Sequence, residues 1–200
     1  PRLDNQAMCH AGLLALLRAA PAAATQVTCL YDHEEVGSGS AQGAGGALVE
    51  HLMRRIAETE GPGAVAGGLG RAAARSRQIS ADMAHGVHPS YADRHEPLHL
   101  PRLNGGPVIK INSQQRYATD AHTAALFEAL CQDVGVPVQK FVNRTDLACG
   151  STIGPISAAR LGVPTVDVGN AMLSMHSIRE TTGAADPERM TAVMTAFLET

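Results

Sequence analysis

The sequence predicts an α/β fold, a three-layer sandwich in which a mostly parallel mixed sheet carries helices on both faces. Three observations predict it. Short β-branched apolar runs alternate with longer segments of helical period, the pattern of strands joined by crossover helices. Hydrophobic residues make up 44% and charged residues 18% of the 200 residues, enough for one domain with a sizeable core. Acidic and histidine-bearing segments follow directly on apolar strands, where open α/β sheets place their ligand sites.

Taken in order, residues 5–20 are rich in Ala and Leu, with Leu13, Leu14, Leu16 and Leu17 clustered, and predict a helix. Residues 25–31 are β-branched and apolar and predict a strand. A glycine-rich stretch over 37–46 leads into a helix over 44–58, where Leu48, Leu52, Met53 and Ile56 form a stripe. Gly61, Pro62 and Gly63 predict a turn rather than a domain boundary. Residues 69–77 predict a helix and 78–83 a strand running into a loop. Residues 87–106 hold histidines, prolines and glycines without periodicity and predict a long loop, of a length usually functional or mobile in a compact domain. Beyond it come strands over 108–112, 136–142 and 165–168, alternating with helices over 121–133, 153–161 and 186–198. Pro187 sits in the first turn of the last helix, where its missing N–H is no loss.

Composition narrows the function. The formal net charge of −3 offers nucleic acid and anionic lipid nothing to bind, and no apolar run reaches membrane-spanning length. Four widely spaced cysteines form no C-x-x-C pair, which predicts reduced thiols in a cytoplasmic protein, most of them small buried filler. Nine histidines against three tyrosines, three phenylalanines and no tryptophan raise a metal hypothesis. The first residues, Pro1-Arg2-Leu3-Asp4, contain neither an initiator Met nor a leader, and predict a piece of a longer protein.

Several segments could carry chemistry. Asp32-His33-Glu34-Glu35 closes a predicted strand, and on an extended backbone adjacent carboxylates point to opposite sides. One could then hold a metal while its neighbour faces a metal-bound water; a solvated acidic loop is the plain alternative. The following glycines lack the lysine of a phosphate loop and predict a tight turn into a helix. Asp82 ends a strand and is followed by His85 and His88. Gly86 and Pro89 argue against a helix there, so Asp82 is the candidate ligand and the histidines are supporting or loop residues. His176 follows an apolar strand and precedes Arg179 and Glu180, where it could complete a site. Gly150, Ser151 and Thr152 lead into a helix whose free N–H groups could receive a substrate carbonyl or carboxylate; a Ser151 or Thr152 helix cap is equally compatible. Asp4 alone would be an N-cap.

Together, Arg2-Leu3-Asp4-Asn5, the run from Asp32 to Ser38, Ser80 to His85, Gly106 to Asn112, Asp146 to Pro155 and Met175 to Glu180 occur in one order. That order resembles the M18 metallopeptidases, the aspartyl aminopeptidases, over essentially the whole chain. The resemblance implies the catalytic fold of a di-zinc aminopeptidase. It implies that Asp4 bridges two metal ions, Glu34 is the general base, Glu35 and His176 hold one ion and Asp82 the other. It also implies a cis Asp4–Asn5 peptide. A bridging pair of zinc ions would acidify a shared water, and Glu34 would carry its proton to the leaving amine. Manganese or cobalt would accept the same donors.

The resemblance further implies a substrate with an N-terminal Asp or Glu and a homo-oligomeric enzyme. Lys110 alternates away from Ile109 and Ile111, and is expected in the acid-binding pocket with Tyr117, Gly150, Ser151 and Thr152; an edge lysine guarding against strand pairing is the alternative. In the family a first metal-binding His precedes the bridging Asp, and a dimerisation domain intervenes. Residues 1–200 are therefore expected to be the C-terminal portion of an N-terminally truncated catalytic domain, without that histidine or that domain, and inactive alone. A di-zinc deacylase of the same fold and a non-catalytic assembly subunit are the competing readings.

Overall fold

The computed structural model describes residues 2–59 and 68–200. The turn predicted at Gly61–Gly63 lies outside them. Six α-helices and seven β-strands are found among the described residues: α1 (Leu3–Arg18), α2 (Leu48–Thr59), α3 (Gly68–Arg75), β1 (Gln78–Ala81), β2 (Ala84–His85), β3 (Val108–Ile111), α4 (Ala121–Asp133), β4 (Gln139–Val142), α5 (Ile153–Leu161), β5 (Thr165–Gly169), β6 (Ala171–Leu173), β7 (Thr181–Thr182) and α6 (Asp186–Leu198).

The main sheet runs β1-β5-β3-β4. β1 pairs parallel with β5, β3 parallel with β4, and β3 antiparallel with β5, so the sheet is mixed and mostly parallel. β5 is buried along its whole length, as expected of a strand covered on both sides. One face of the sheet is apolar. Ile109, Val166 and Val168 meet Met8, Ala11 and Ala15 of α1, Phe127 and Leu130 of α4, and Met190 and Val193 of α6. Alternation turns Lys110, Asp167 and Ser80 to the other face, under α5. The aromatic-poor sequence thus packs one side with Ala, Val and Met around Phe127, and turns Lys110 and Asp167 to the other.

A second sheet was not predicted. β2, β6 and β7 pair in that order, parallel and then antiparallel. Strands of two or three residues carry no readable period, and this small sheet continues the main one past its C-terminal edge. The bond from Ala84 N–H to the Asn170 carbonyl, 2.9 Å, sits at that junction.

The strand predicted at 25–31 does not form. The segment belongs to no ladder among the described residues, and Val27 and Leu30 are 43% and 58% exposed. It is held instead by side chains: Thr28 Oγ1 donates to the Gly12 carbonyl at 3.3 Å, and Gln26 Nε2 to the Leu198 carbonyl at 2.7 Å. Apolar β-branched composition favours an extended chain, but a strand also needs a neighbour to bond with.

Helix α2 begins at Leu48 rather than 44 because the glycine stretch folds back on itself. A Cβ at Gly43 would lie 2.4 Å from the Ser38 carbonyl oxygen, so this turn requires glycine, as the sequence implied. Helix α1 covers 3–18 rather than 5–20, β4 starts at Gln139 rather than 136, and a short 3₁₀ stretch, Pro89–Arg94, interrupts the long loop. Phe127 is 1% exposed at the centre of the apolar face. Phe127→Ala is expected to cost about 3–5 kcal/mol of stability, read from the urea midpoint of the protein carrying this domain. A loss below 1 kcal/mol would show that this face is not the main core.

Candidate metal centre

Three irregular segments bring the site together at the C-terminal ends of β1 and β6. Asp4 lies in the first turn of α1 with non-helical angles (φ −87°, ψ 107°), and the Asp4–Asn5 peptide is cis, as the resemblance implied. Asn5 Nδ2 donates to the Ala81 carbonyl at 2.9 Å and docks this turn on the end of β1. Glu34 and Glu35 do not lie on extended backbone. They occupy a 3₁₀ turn, Glu34–Val36, between His33 and Gly37 in left-handed conformations, so their side chains diverge around a turn rather than across a strand. His176 follows β6, also with a left-handed φ of 67°.

His176 Nε2 lies 3.0 Å from Asp4 Oδ2 and 3.1 Å from Glu35 Oε2. One donor atom from each of Asp4, Glu35 and His176 falls within 4.8 Å of the other two. Asp4 is 8% exposed, whereas Glu35 and His176 are about half exposed and open the centre to solvent.

Asp82 follows β1 and stands beside Asp4. Burial pushes the Asp4 carboxyl well above the usual carboxylate range, and the Asp82, Glu35 and Glu180 carboxylates push it the same way. Burial, Asp82 and Glu35 also raise Glu34, against the opposing charges of Lys110 and His176. Glu34 therefore sits in the fields of Asp82, Glu35, Lys110 and His176. Two carboxylates and an imidazole are the donor types zinc prefers, and a divalent cation would relieve the repulsion that raises Asp4. The residues present fit such an ion.

Lys110 is not at an edge, since β3 lies between β5 and β4. Its side chain is 2% exposed, with Nζ 3.6 Å from Asp82 Oδ2 and 5.6 Å from the centre of the Tyr117 ring. The register that pairs Ile109 with Val168 also sets Lys110 beside Asp167. Asp167 is wholly buried and binds both loops singled out in the sequence: it accepts from Ala118 N–H at 2.5 Å and from Thr152 Oγ1 at 2.8 Å. Ser151 Oγ donates to the Arg116 carbonyl at 3.1 Å, so Gly150, Ser151 and Thr152 stand next to Tyr117. Thr152, not Ser151, is the cap of α5.

Other expectations fare differently. His88 Nδ1 accepts from Ser90 N–H and caps the 3₁₀ stretch, while the His85 ring packs 6.2 Å from Phe141. Neither belongs to the three-donor group. All four cysteines are free, but only Cys131 is fully buried, so the filler reading holds for that one alone. Among the described residues no helix is long and apolar enough to cross a membrane. Sequence reasoning passed over Asp167 and the roles of Arg2 and Glu180. A charged residue inside the apolar run 165–168 was the available signal for Asp167.

A family model described as aminopeptidase I zinc metalloprotease (M18) matches residues 1–198. The chain belongs to the M18 family of zinc metalloproteases. It is 55% identical over 196 residues to a probable M18 family aminopeptidase 2 of Pseudomonas paraeruginosa, covering 98% of this chain and 44% of that protein. The corresponding Mycobacterium bovis protein is 50% identical over 206 residues, with 99% and 46% covered. Among solved M18 structures, the mApe1 dodecamer of S. cerevisiae superposes with a TM-score of 0.83 at 34% identity, covering 98% of this chain and 44% of that one. The chain thus spans less than half the length of these relatives.

Two expectations follow from the site. His176→Ala in the full-length protein should release one metal ion per subunit, read by elemental analysis after dialysis; an unchanged metal content would remove His176 from the centre. A Cβ at Gly154 would lie 2.2 Å from both Asp167 carboxylate oxygens. Gly154→Ala should therefore destabilise by about 2–4 kcal/mol, a tight steric conflict at a buried charge, and a neutral result in thermal melting would contradict the packing around Asp167.

Proposed function

We propose that the full-length protein is a metal-dependent aminopeptidase that removes an N-terminal Asp or Glu from peptides, with two zinc ions per site. The observation that carries this reading is the Asp4, Glu35 and His176 donor group with Glu34 beside it, in a chain of the M18 family. Asp4, Glu35 and His176 would hold one ion, and Asp4 and Asp82 would contribute to the other. Zinc usually takes at least three protein donors, so the second ion needs one from outside residues 1–200. That supports reading this chain as the C-terminal portion of the catalytic domain, inactive alone. The dodecameric relative supports a homo-oligomer. The free cysteines support a cytoplasmic setting.

Bound zinc would supply Lewis-acid polarisation of the scissile carbonyl and a more acidic water. This chain's residues do the rest. Glu34 takes the proton of the attacking water and returns it to the leaving amine. Burial, Asp82 and Glu35 raise its proton affinity, the direction that favours taking a proton from water. Lys110 bears the positive charge that an acidic substrate side chain needs, because an unpaired carboxylate in a closed cleft is costly. Its ammonium acts on Glu34 as well as on Asp82, which puts it between the reacting centre and the Tyr117 loop. The two loops bound to Asp167 frame that space.

Glu34→Gln in the full-length enzyme should leave metal content intact and lower kcat by about 10²–10⁴-fold. Wild-type turnover would show that Glu34 is not the base. Lys110→Met keeps most of the side-chain volume and removes the charge. It should lower kcat/KM for N-terminal Asp substrates at least about ten-fold more than for N-terminal Ala substrates, a difference of roughly 1.4 kcal/mol. Equal losses on both would overturn the pocket assignment.

A further inference from the structure

Glu180 is the least exposed carboxylate at the centre, with a side chain 1% exposed, yet it contributes no donor to the three-atom group. Its oxygens are used differently. Oε1 accepts from the His176 N–H at 2.9 Å, and Oε2 accepts from the Asp4 N–H at 3.3 Å. A further backbone bond from Leu3 reaches the same carboxylate. Arg2 lies over it, with Nε 3.5 Å from Glu180 Oε1 and Nη2 2.9 Å from Glu35 Oε1.

These contacts join three stretches of irregular backbone. Asp4 precedes the regular part of α1, Glu35 sits in a 3₁₀ turn, and His176 holds a left-handed φ that a non-glycine residue adopts reluctantly. None of the three is fixed by a ladder or a helix of its own. Glu180 fixes the main chain of two of them, and Arg2 extends the restraint to the carboxylate of the third. We propose that Glu180, assisted by Arg2, is the positioning residue of this centre: it holds the main chain of Asp4 and His176 so that their side chains meet Glu35 at metal-binding separation. The inference rests on the metal-centre reading above and adds to it the residue pair that sets the site's geometry before any ion arrives.

The carboxylate form is required. A neutral amide has one accepting oxygen, so Gln at 180 could serve one of the two N–H groups while turning its own N–H₂ toward the other. It would also lose the attraction for Arg2. Outer groups that orient metal ligands are typically worth about 10–100-fold in metal affinity.

The test is zinc affinity of the full-length protein, measured by competition with a chromogenic chelator, alongside thermal melting of the metal-free form. Glu180→Gln should weaken the Asp4–Glu35–His176 zinc site by about 10–100-fold and the other site, which shares only Asp4 with it, by less, and leave the metal-free melting temperature nearly unchanged. Arg2→Met should weaken the same site by a smaller factor, about three-fold. An affinity within two-fold of wild type for Glu180→Gln, or a fall in metal-free melting with no change in affinity, would overturn the proposal. If Glu180→Gln does not fold, Arg2→Met decides: a weakened site supports the proposal and an unchanged one overturns it. Wild-type protein that takes up no zinc would overturn the metal-centre reading and this inference together, whereas wild-type uptake with insensitive variants overturns the inference alone.

Discussion

Crowding of negative charge at the ends of β1 and β6 is the constraint that the rest of the structure serves. Burial raises both Asp4 and Glu34, and Asp82 and Glu35 raise both further, with Glu180 adding to the effect on Asp4. Left uncompensated, such a cluster would push its segments apart or take up protons. The chain answers with two cations placed at different depths and an imidazole. Lys110 is buried against Asp82, Arg2 straddles Glu35 and Glu180, and His176 lies between Asp4 and Glu35. These groups sit around the carboxylates without saturating them. The three donor atoms still lie within 4.8 Å of one another, and a divalent ion there would meet the residual demand for positive charge.

The two faces of the main sheet divide the work. Ile109, Val166 and Val168 pack into the apolar layer of α1, α4 and α6, which supplies the burial that stabilises the domain. On the opposite face, Lys110 and Asp167 are buried side by side, an arrangement that apolar residues of similar volume would often match in stability. Its return is positional. Asp167 holds the Ala118 and Thr152 loops, and Gly154 lacks a side chain so that α5 can approach its carboxylate. One strand, β5, therefore supports the core through its even-numbered valines and the cleft through its single aspartate.

How much of this was legible in the sequence depended on the distance over which each feature is decided. Alternation along β3 separated Lys110 from Ile109 and Ile111 correctly, because a period of two is local. Helices α4, α5 and α6 were bounded as predicted for the same reason. The strand expected at 25–31 failed because pairing is non-local: its residues suit a strand, but no ladder partner stands beside it among the described residues. β2, β6 and β7 were too short to show any period. At the site, Asp4 looked like a helix cap until its place in a family motif order gave it another role. Glu180 was visible only as part of a motif, since accepting bonds from the N–H groups of Asp4 and His176 leaves no trace in residue type or spacing.

The donors are also far apart along the chain. Asp4 and His176 come from opposite ends of the 200 residues, and the contacts that join them, Asn5 to Ala81 and Asp4 to Glu180, each close a long loop. Closing long loops carries an entropic cost that only the folded core offsets, so the centre can exist only after α1 has docked against α6 and β1 has paired with β5. Metal binding at these donors would then be coupled to the tertiary fold rather than to any local motif. An ion held by Asp4, Glu35 and His176 would in turn clamp the first helix, the 3₁₀ turn and the segment after β6 to one another. Asp4 is buried while Glu35 and His176 are about half exposed, so the three-donor group is anchored on one side by the core and open on the other to solvent.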